Sequence, residues 1–445
     1  MRSQTTNKKI VILGGGFAGL QLAKNIRNSE YEITLIDQYN FHQFQPLFYQ
    51  VATARLEPSA ISFPLRKVFQ RKHNVHVRVA RITGIDMDNK QVLTDDETFH
   101  YDYLVIATGC TTNFFGNKNI ERYAFPMKST PEAITLRNRI LLNFEDAINA
   151  SAEELERIMN IVVVGGGPTG VELSGSLAEM KRNVLPRDYP DMDFSRLNIY
   201  LLEGSNATLA AMSPVSQRKS QEYLERLGVK VWTNALLSDY DGKVATLKDG
   251  RTIPTRNLVW AAGVMGNVPK GVPENLLVRG NRIKVDEYSR LMGSDSVFAL
   301  GDVSYMETQE WPKGHPQLAN VANNQAKHLA TNLKRLLDGG EMRPFRYKSP
   351  GTMATVGKRK AVVDLPFMSF QGVFAWLTWM FLHLMLILNA KNRLFTFINW
   401  AISYFTNDTT LRLILLPTRK QVEMAIEHHE LSVDANKSAE VKQPS

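Results

Sequence analysis

The sequence predicts an α/β fold with two Rossmann-type dinucleotide-binding domains and a C-terminal helical region. Three observations predict it. Gly-x-Gly-x-x-Gly occurs twice, from Gly14 and from Gly165, each time after a short β-branched run. Each copy is followed by a further strand pattern that ends in an acid, Asp37 or Glu203. Residues 365–390 then contain no Asp, Glu, Lys or Arg.

A chain of 445 residues suggests about three domains, or two and an appendage. Its 44% hydrophobic and 22% charged content is that of a globular protein and argues against disorder. The single cysteine, Cys110, excludes a disulfide framework, a redox-active cysteine pair within one chain, and a cysteine-rich zinc or iron–sulfur site. No His/Cys/Asp cluster has metal-ligand spacing, so no metal is expected. Met1–Lys9 lacks the apolar core of a signal peptide, so the bulk of the chain is expected in the cytoplasm.

Ile10–Leu13 reads as a strand that runs into Gly14, Gly16 and Gly19, with Phe17 and Ala18 opening a helix. Glycine is needed at a tight turn, at the close approach of backbone to a pyrophosphate, and where helix packs on strand. The pyrophosphate sits on the helix N-terminus, whose N–H groups and dipole favour an anion. Strand Glu32–Ile36 ends at Asp37, 23 residues beyond Gly14, where a carboxylate can accept from ribose hydroxyls.

The pattern recurs at Asn160–Val164 followed by Gly165, Gly167, Pro168, Thr169 and Gly170. Strand Leu197–Leu202 ends at Glu203, 38 residues beyond Gly165, the extra length being the polar stretch Arg182–Phe194. An acid there would repel a 2′-phosphate, which favours NADH over NADPH. The alternative is a solvated carboxylate at a strand end. Two dinucleotide sites in one chain describe a flavoprotein that accepts hydride from a nicotinamide.

Later strands support this. Tyr103–Ile106 opens into Thr108-Gly109, Ser296–Leu300 ends at Gly301-Asp302, and Leu258–Ala262 ends at Gly263. These resemble the flavoprotein disulfide-reductase-like superfamily. The resemblance implies non-covalent FAD whose ribityl chain is held by Asp302. It implies an FAD-binding domain in two parts, 1–120 and 283–340, an NADH-binding domain inserted at 121–282, and a C-terminal membrane-anchoring region at 341–445. Dithiol reductases and sulfide:quinone oxidoreductases need more than one cysteine. Cys110 is read as a small buried filler.

Phe41-His42-Gln43-Phe44-Gln45-Pro46-Leu47-Phe48-Tyr49-Gln50-Val51-Ala52-Thr53 resembles the signature of type II NADH dehydrogenases, single-subunit and non-pumping NADH:quinone oxidoreductases. Gly165–Leu173, Leu201–Gly204 and Met353–Gly357 match as well. The resemblance covers the chain from Lys9 to about Pro417. It implies that Gln45 and Leu47 lie at the flavin, with Gln45 also among the catalytic residues, and that Glu172 lies near its edge with the nicotinamide. There Glu172 would orient the carboxamide or relay a proton to quinone. The alternative is an acid offsetting the helix dipole. The family also carries Ala-Gln-x-Ala-x-Gln bordering the quinone pocket. Here the run is Ala319-Asn320-Val321-Ala322-Asn323-Asn324, with each glutamine one methylene shorter. Ala319 is expected at the flavin, and Asn320 and Asn324 at the quinone. The alternative is that the two amides cap or solvate a helix surface.

Phe367–Leu388 is long enough for a membrane span, but Gln371, Thr378 and His383 lie within it. Arg393–Phe405 places Leu394, Ile398, Ala401 and Phe405 at helical spacing, an amphipathic pattern. Leu411–Leu416 is a further apolar run, and the tail after Gln421 is charged. An in-plane, monotopic anchor is favoured over a span, as the resemblance also implies. A buried core or dimer-interface helix is the alternative. The formal charge of +9 concentrates here: residues 341–364 carry six basic and two acidic groups, and residues 391–420 five and one. Attraction to an anionic leaflet accounts for it without nucleic acid.

The expectation is therefore a flavoenzyme on the cytoplasmic face of the cell membrane. It passes hydride from NADH to FAD and two electrons to menaquinone or ubiquinone, without proton pumping. A homodimer stays open, as do a reductase of a soluble ferredoxin- or rubredoxin-like carrier and a non-catalytic redox sensor.

Overall fold

Each glycine motif follows the central strand of its own parallel sheet. The structure, a computed structural model, describes residues 8–27, 30–406 and 411–416. The first sheet runs in the order Val297–Ala299, Tyr103–Ile106, Lys9–Leu13, Glu32–Asp37, Val75–Val79, with every pairing parallel. The second runs Phe125–Pro126, Asn257–Trp260, Asn160–Val164, Asn198–Leu202, Val229–Trp232, also parallel throughout. Parallel strands covered on both faces read as continuous apolar runs, and all five residues of Asn160–Val164 are buried.

The first sheet is discontinuous in sequence, because its edge strand Val297–Ala299 comes after the whole of the second. Helix Phe17–Asn25 packs on helix Ala319–Leu337, and Leu20, Leu22, Ala322, Ala326 and Leu329 share one core cluster with Ile10 and Ile12. The late helix thus closes the unit that the first glycine motif opens.

The uncharged C-terminal stretch divides, contrary to one continuous helical run over Phe367–Leu388. Met368–Gln371 is the edge of a three-stranded antiparallel sheet with Ala361–Leu365 and Thr352–Thr355. Gly372, at φ +84°, turns the chain into helix Val373–Leu386. That helix has 14 residues, or about 21 Å at ~1.5 Å per residue, against an apolar bilayer thickness of about 30 Å. Among the described residues no helix is long and apolar enough to cross a membrane.

The second amphipathic segment is helix Ala390–Thr406. Both helices keep large apolar side chains outside, with Phe374 78%, Phe381 67% and Phe405 81% exposed, while Trp379 is buried on the inner side. Leu411–Leu416 has no regular structure. It lies along helix Thr130–Ala147, where Asn138 Nδ2 donates to the Leu415 carbonyl at 2.7 Å. The charged tail after Gln421 lies outside the described residues.

Candidate active site between two cavities

The two glycine loops repeat each other atom for atom in what they exclude. Gly14 and Gly165 have φ of +103° and +110°, and a Cβ would come within 2.4 Å of the Ala107 carbonyl oxygen or 2.5 Å of the Ala261 one. A Cβ on Gly19 or Gly170 would lie 1.9 Å from the carbonyl oxygen of Gly14 or Gly165. Beside Gly16 and Gly167 there is nothing within 4 Å. The middle glycine of each motif therefore opens onto space, where a pyrophosphate can approach the backbone.

The two helices that follow carry no side-chain cap, although Pro168 opens the second at a position that needs no N–H. Helices Lys118–Tyr123, Thr130–Ala147, Ala152–Ile158 and Pro214–Arg226 are all capped by an Asn or Ser side chain. Uncapped N–H groups at a helix N-terminus suit an anionic ligand. The two loops fit FAD and NADH by this chemistry.

The two acids are also equivalent in the backbone groups they hold. Asp37 accepts from the N–H of Gly15 (2.6 Å) and of Tyr39 (2.7 Å). Glu203 accepts from the N–H of Gly166 (2.6 Å) and of Ser205 (2.6 Å). Each carboxylate pins its glycine loop to the neighbouring strand end and keeps lone pairs for a sugar hydroxyl. His42, which sequence reasoning passes over, supports the first loop through Nδ1 and the Gly15 carbonyl at 2.9 Å. Burial drives it down to about 4, so it stays neutral. Phe17 meets His42 and Phe44 edge-on, and Ala18 and Leu47 are buried beneath.

The late strand ends tie the units together. Thr108 Oγ1 donates to the Asn267 carbonyl at 2.6 Å, and the Asn267 N–H donates to the Gly109 carbonyl at 3.0 Å. The Cys110 thiol donates to Asp302 Oδ2 at 3.0 Å. Burial and that carboxylate push the thiol up to about 12, so it is no nucleophile. Gln317 and Gln325, two further residues that no motif marks, clasp the same turn. The first donates to the Asp302 carbonyl (3.0 Å), and the second accepts from the Gly301 N–H (2.8 Å).

Two cavities meet at Tyr49 and Glu172. The first is lined by Gln45, Pro46 and Thr169 and by the strand end Trp260, Ala261 and Gly263. The second is lined by Gln50, Arg55, Thr355 and, from the C-terminal helices, Trp376, Trp379 and Trp400. Tyr49 and Glu172 line both. Burial raises Glu172 to about 8, partly offset by the Thr355 N–H, 3.3 Å from Oε1. Burial and the nearby Glu172 carboxyl also push the Tyr49 hydroxyl up.

One stripe of helix Pro168–Asn183 serves the whole boundary. Thr169 reaches the first cavity, Glu172 the divide and Ser176 the second cavity, while Glu179 pairs with Arg55 and accepts from the Lys358 N–H. The spacing of three, four and three residues places these on one helical face. That periodicity is present in the sequence, yet the motifs single out only Thr169 and Glu172 from it. Likewise Tyr49 and Gln50 stand within the signature, which points by itself only to Gln45 and Leu47.

Asn320 and Asn324 line neither cavity. Asn324 Nδ2 donates to Asn320 Oδ1 at 3.0 Å, and Asn320 Nδ2 to the Tyr347 hydroxyl at 3.4 Å. The shorter amides close on each other along the helix, i to i+4. Ala319 opens the same helix. Among the described residues no group of three or more His, Cys, Asp or Glu could hold a metal ion.

A pyridine nucleotide-disulphide oxidoreductase family model matches residues 8–326, and an NDH2 C-terminal domain model matches residues 350–407. The chain is 33% identical over 414 residues to a type II NADH:quinone oxidoreductase, Ndh, of Mycobacterium tuberculosis, covering 89% of this chain and 88% of that protein. It is 29% identical over 426 residues to the internal alternative NAD(P)H-ubiquinone oxidoreductase A1 of Solanum tuberosum, covering 88% and 85%. In fold it matches NDH2 of Plasmodium falciparum, solved in complex with NADH, at a TM-score of 0.84 and 22% identity over 92% of this chain and all of that one. Both glycine units and the C-terminal segment thus align with one lineage, and the chain belongs to the type II NADH:quinone oxidoreductase family.

Proposed function

We propose that the protein oxidises NADH in the first cavity and reduces a membrane quinone in the second, with Tyr49 and Glu172 at the divide. The observation that carries this is that these two side chains line both cavities. The balanced reaction is NADH + H⁺ + quinone → NAD⁺ + quinol. FAD, when bound, supplies the two-electron acceptor that stands between the two substrates.

The Gly14–Gly19 loop and Asp37 hold the FAD pyrophosphate and ribose, with Thr108, Gly109, Asp302, Gln45, Leu47 and Ala319 around the remainder. The loop Gly165–Gly170, with Pro168 and Thr169, holds NADH, and Glu203 disfavours a 2′-phosphate. Gly263 borders the nicotinamide end. The ring tip of Phe115 lies against it, 2.8 Å from where a Cβ would stand.

Quinol formation takes one proton that NADH does not bring. With a carboxyl raised to about 8, Glu172 holds a proton at neutral pH. Its Oε1 accepts from the Thr355 N–H. A general acid poised near the working pH serves both halves of a transfer. Alignment by the cavity walls supplies the rest of the catalysis.

The exposed apolar faces of Val373–Leu386 and Ala390–Thr406 seat the second cavity against a lipid surface, with the surrounding basic groups favouring an anionic leaflet. The quinone is menaquinone or ubiquinone, the enzyme works on the cytoplasmic face, where NADH is found, and no proton is pumped. Steady-state NADH oxidation by detergent-solubilised protein with a menaquinone or ubiquinone analogue tests the proposal. NADH should bleach the flavin and quinone should restore it. A bleached flavin that no quinone reoxidises would sink this reading and favour a soluble electron carrier.

A further inference from the structure

Helix Ala390–Thr406 is tied to the body at three places. Near its start Asn392 Nδ2 donates to the carbonyls of Ser59 (2.8 Å) and Ala60 (3.1 Å). At its end Lys358 Nζ donates to the carbonyls of Ser403 (3.3 Å) and Tyr404. Between them the Trp400 indole N–H donates to Gln50 Oε1 at 2.7 Å. The opposite face carries Leu394, Phe395, Ile398, Ile402 and Phe405, all exposed. One helix therefore has an apolar outer face and an inner side chain that enters the second cavity.

The bond from Trp400 starts a chain that ends at Glu172. Gln50 Nε2 donates to the Tyr49 hydroxyl oxygen at 3.0 Å, and that hydroxyl lies 3.2 Å from Thr355 Oγ1. The main-chain N–H of Thr355 in turn donates to Glu172 Oε1 at 3.3 Å. Gln50, Tyr49, Thr355 and Glu172 are all buried. An indole N–H donates and cannot accept. Gln50 must therefore turn its carbonyl oxygen to Trp400 and its NH₂ to Tyr49. Tyr49 oxygen receives that bond and shares a second one with Thr355 Oγ1, so the Gln50 donor holds the phenol oxygen in place. Without the indole, the carboxamide is free to turn over and present its carbonyl oxygen to Tyr49 in place of its NH₂.

We propose that Trp400 is a positioning residue for quinone reduction: acting through Gln50, it fixes the Tyr49 hydroxyl at the divide between the cavities. Seating of the amphipathic helix on the body then sets the geometry of the site. The inference rests on the assignment of the second cavity to quinone.

The test uses the FAD-loaded full chain in detergent and stopped-flow absorbance of the flavin. Bleaching by NADH reads the first cavity, and recovery with a ubiquinone analogue reads the second. Trp400→Phe keeps the aromatic bulk and removes the donor. Recovery at saturating quinone should slow about fivefold, the scale of one lost buried hydrogen bond, with the quinone KM held within about twofold. Gln50→Met should slow recovery similarly. The double variant should be no slower than the slower single one, because one chain has been cut twice.

A recovery rate in Trp400→Phe within about 1.5-fold of wild type would overturn the inference. So would a double variant slowed about 25-fold, the product of two independent losses. If Trp400→Phe fails to fold with flavin, Gln50→Met alone decides, its unchanged recovery counting against the chain. Wild-type flavin that NADH bleaches and no quinone restores is a separate result, which removes the functional reading itself.

Discussion

Replacing Glu172 with glutamine isolates the proton that the site holds. Burial raises this carboxyl from 4.5 to about 8, so the native protein keeps a proton that the unfolded chain releases above about pH 4.5. The sign is that of a raised acid: its contribution to stability falls as pH rises through that window and levels off near pH 8. At about 1.4 kcal/mol per pH unit, the penalty grows from roughly 1 kcal/mol at pH 5 to roughly 3 kcal/mol at pH 7.

A glutamine side chain in this place is a neutral isostere without that penalty, so Glu172→Gln should be more stable than wild type, increasingly so toward pH 8. The other titratable groups nearby do not confuse the window. His383, stacked on Trp379, is driven by burial down to about 4, and Tyr49 is pushed upward. Thermal unfolding of both FAD-loaded proteins at pH 5, 6, 7 and 8 is the assay. The gap in Tm should widen by about 4 °C between pH 5 and pH 7, at roughly 2 °C per kcal/mol. A gap that does not change with pH would refute the reasoning, because Glu172 would then be ionised in the native state. In the same variant, quinone-driven flavin recovery should slow while NADH binding persists.

Gly16→Ala and Gly167→Ala should both fold, since each Cβ enters open space from an extended backbone; the first should lower flavin content, and the second should raise the KM for NADH with flavin retained. Absorbance ratios and steady-state kinetics check both, and normal cofactor binding by either would place the pyrophosphate elsewhere. Glu203→Gln keeps an acceptor for the Gly166 N–H and removes the charge, so kcat/KM for NADPH should rise relative to NADH; an unchanged ratio would deny Glu203 a role in reading the ribose. Phe374, Phe381 and Phe405 changed together to Ser should release flavin-loaded protein from anionic vesicles in flotation, and retention would place the anchor elsewhere. Truncation is a poorer test, since Trp379 and Ile387 belong to the main core and their removal would open it.

The parts of the molecule legible in the sequence are those governed by local chemistry. The two glycine triads and the apolar strands that lead into them are visible through spacing alone, and Asp37 and Glu203 stand at the predicted strand ends. Burial cannot be read in the same way, because it depends on what packs from a distance. Glu172 reads as a helix-dipole acid or a proton carrier until Thr355 and Trp379, about 180 and 200 residues further on, close over it. The uncharged stretch after Leu365 looks continuous because charge, the quantity that defines it, does not separate an edge strand from a helix. Gly372 and the pairing of Met368–Gln371 with Ala361–Leu365 divide it.

The sequence by itself determined two dinucleotide loops, their preference for anions, and a C-terminal region with an apolar face. Only the tertiary structure decided that Asn320 and Asn324 turn to each other, and that Trp400 reaches Gln50 across 350 residues of chain. The physical reason is one of range. A turn's φ angle and a helix's periodicity are set within a few residues, whereas the environment of a buried carboxyl and the direction of a hydrogen-bond chain are set by groups that meet only after the chain has folded.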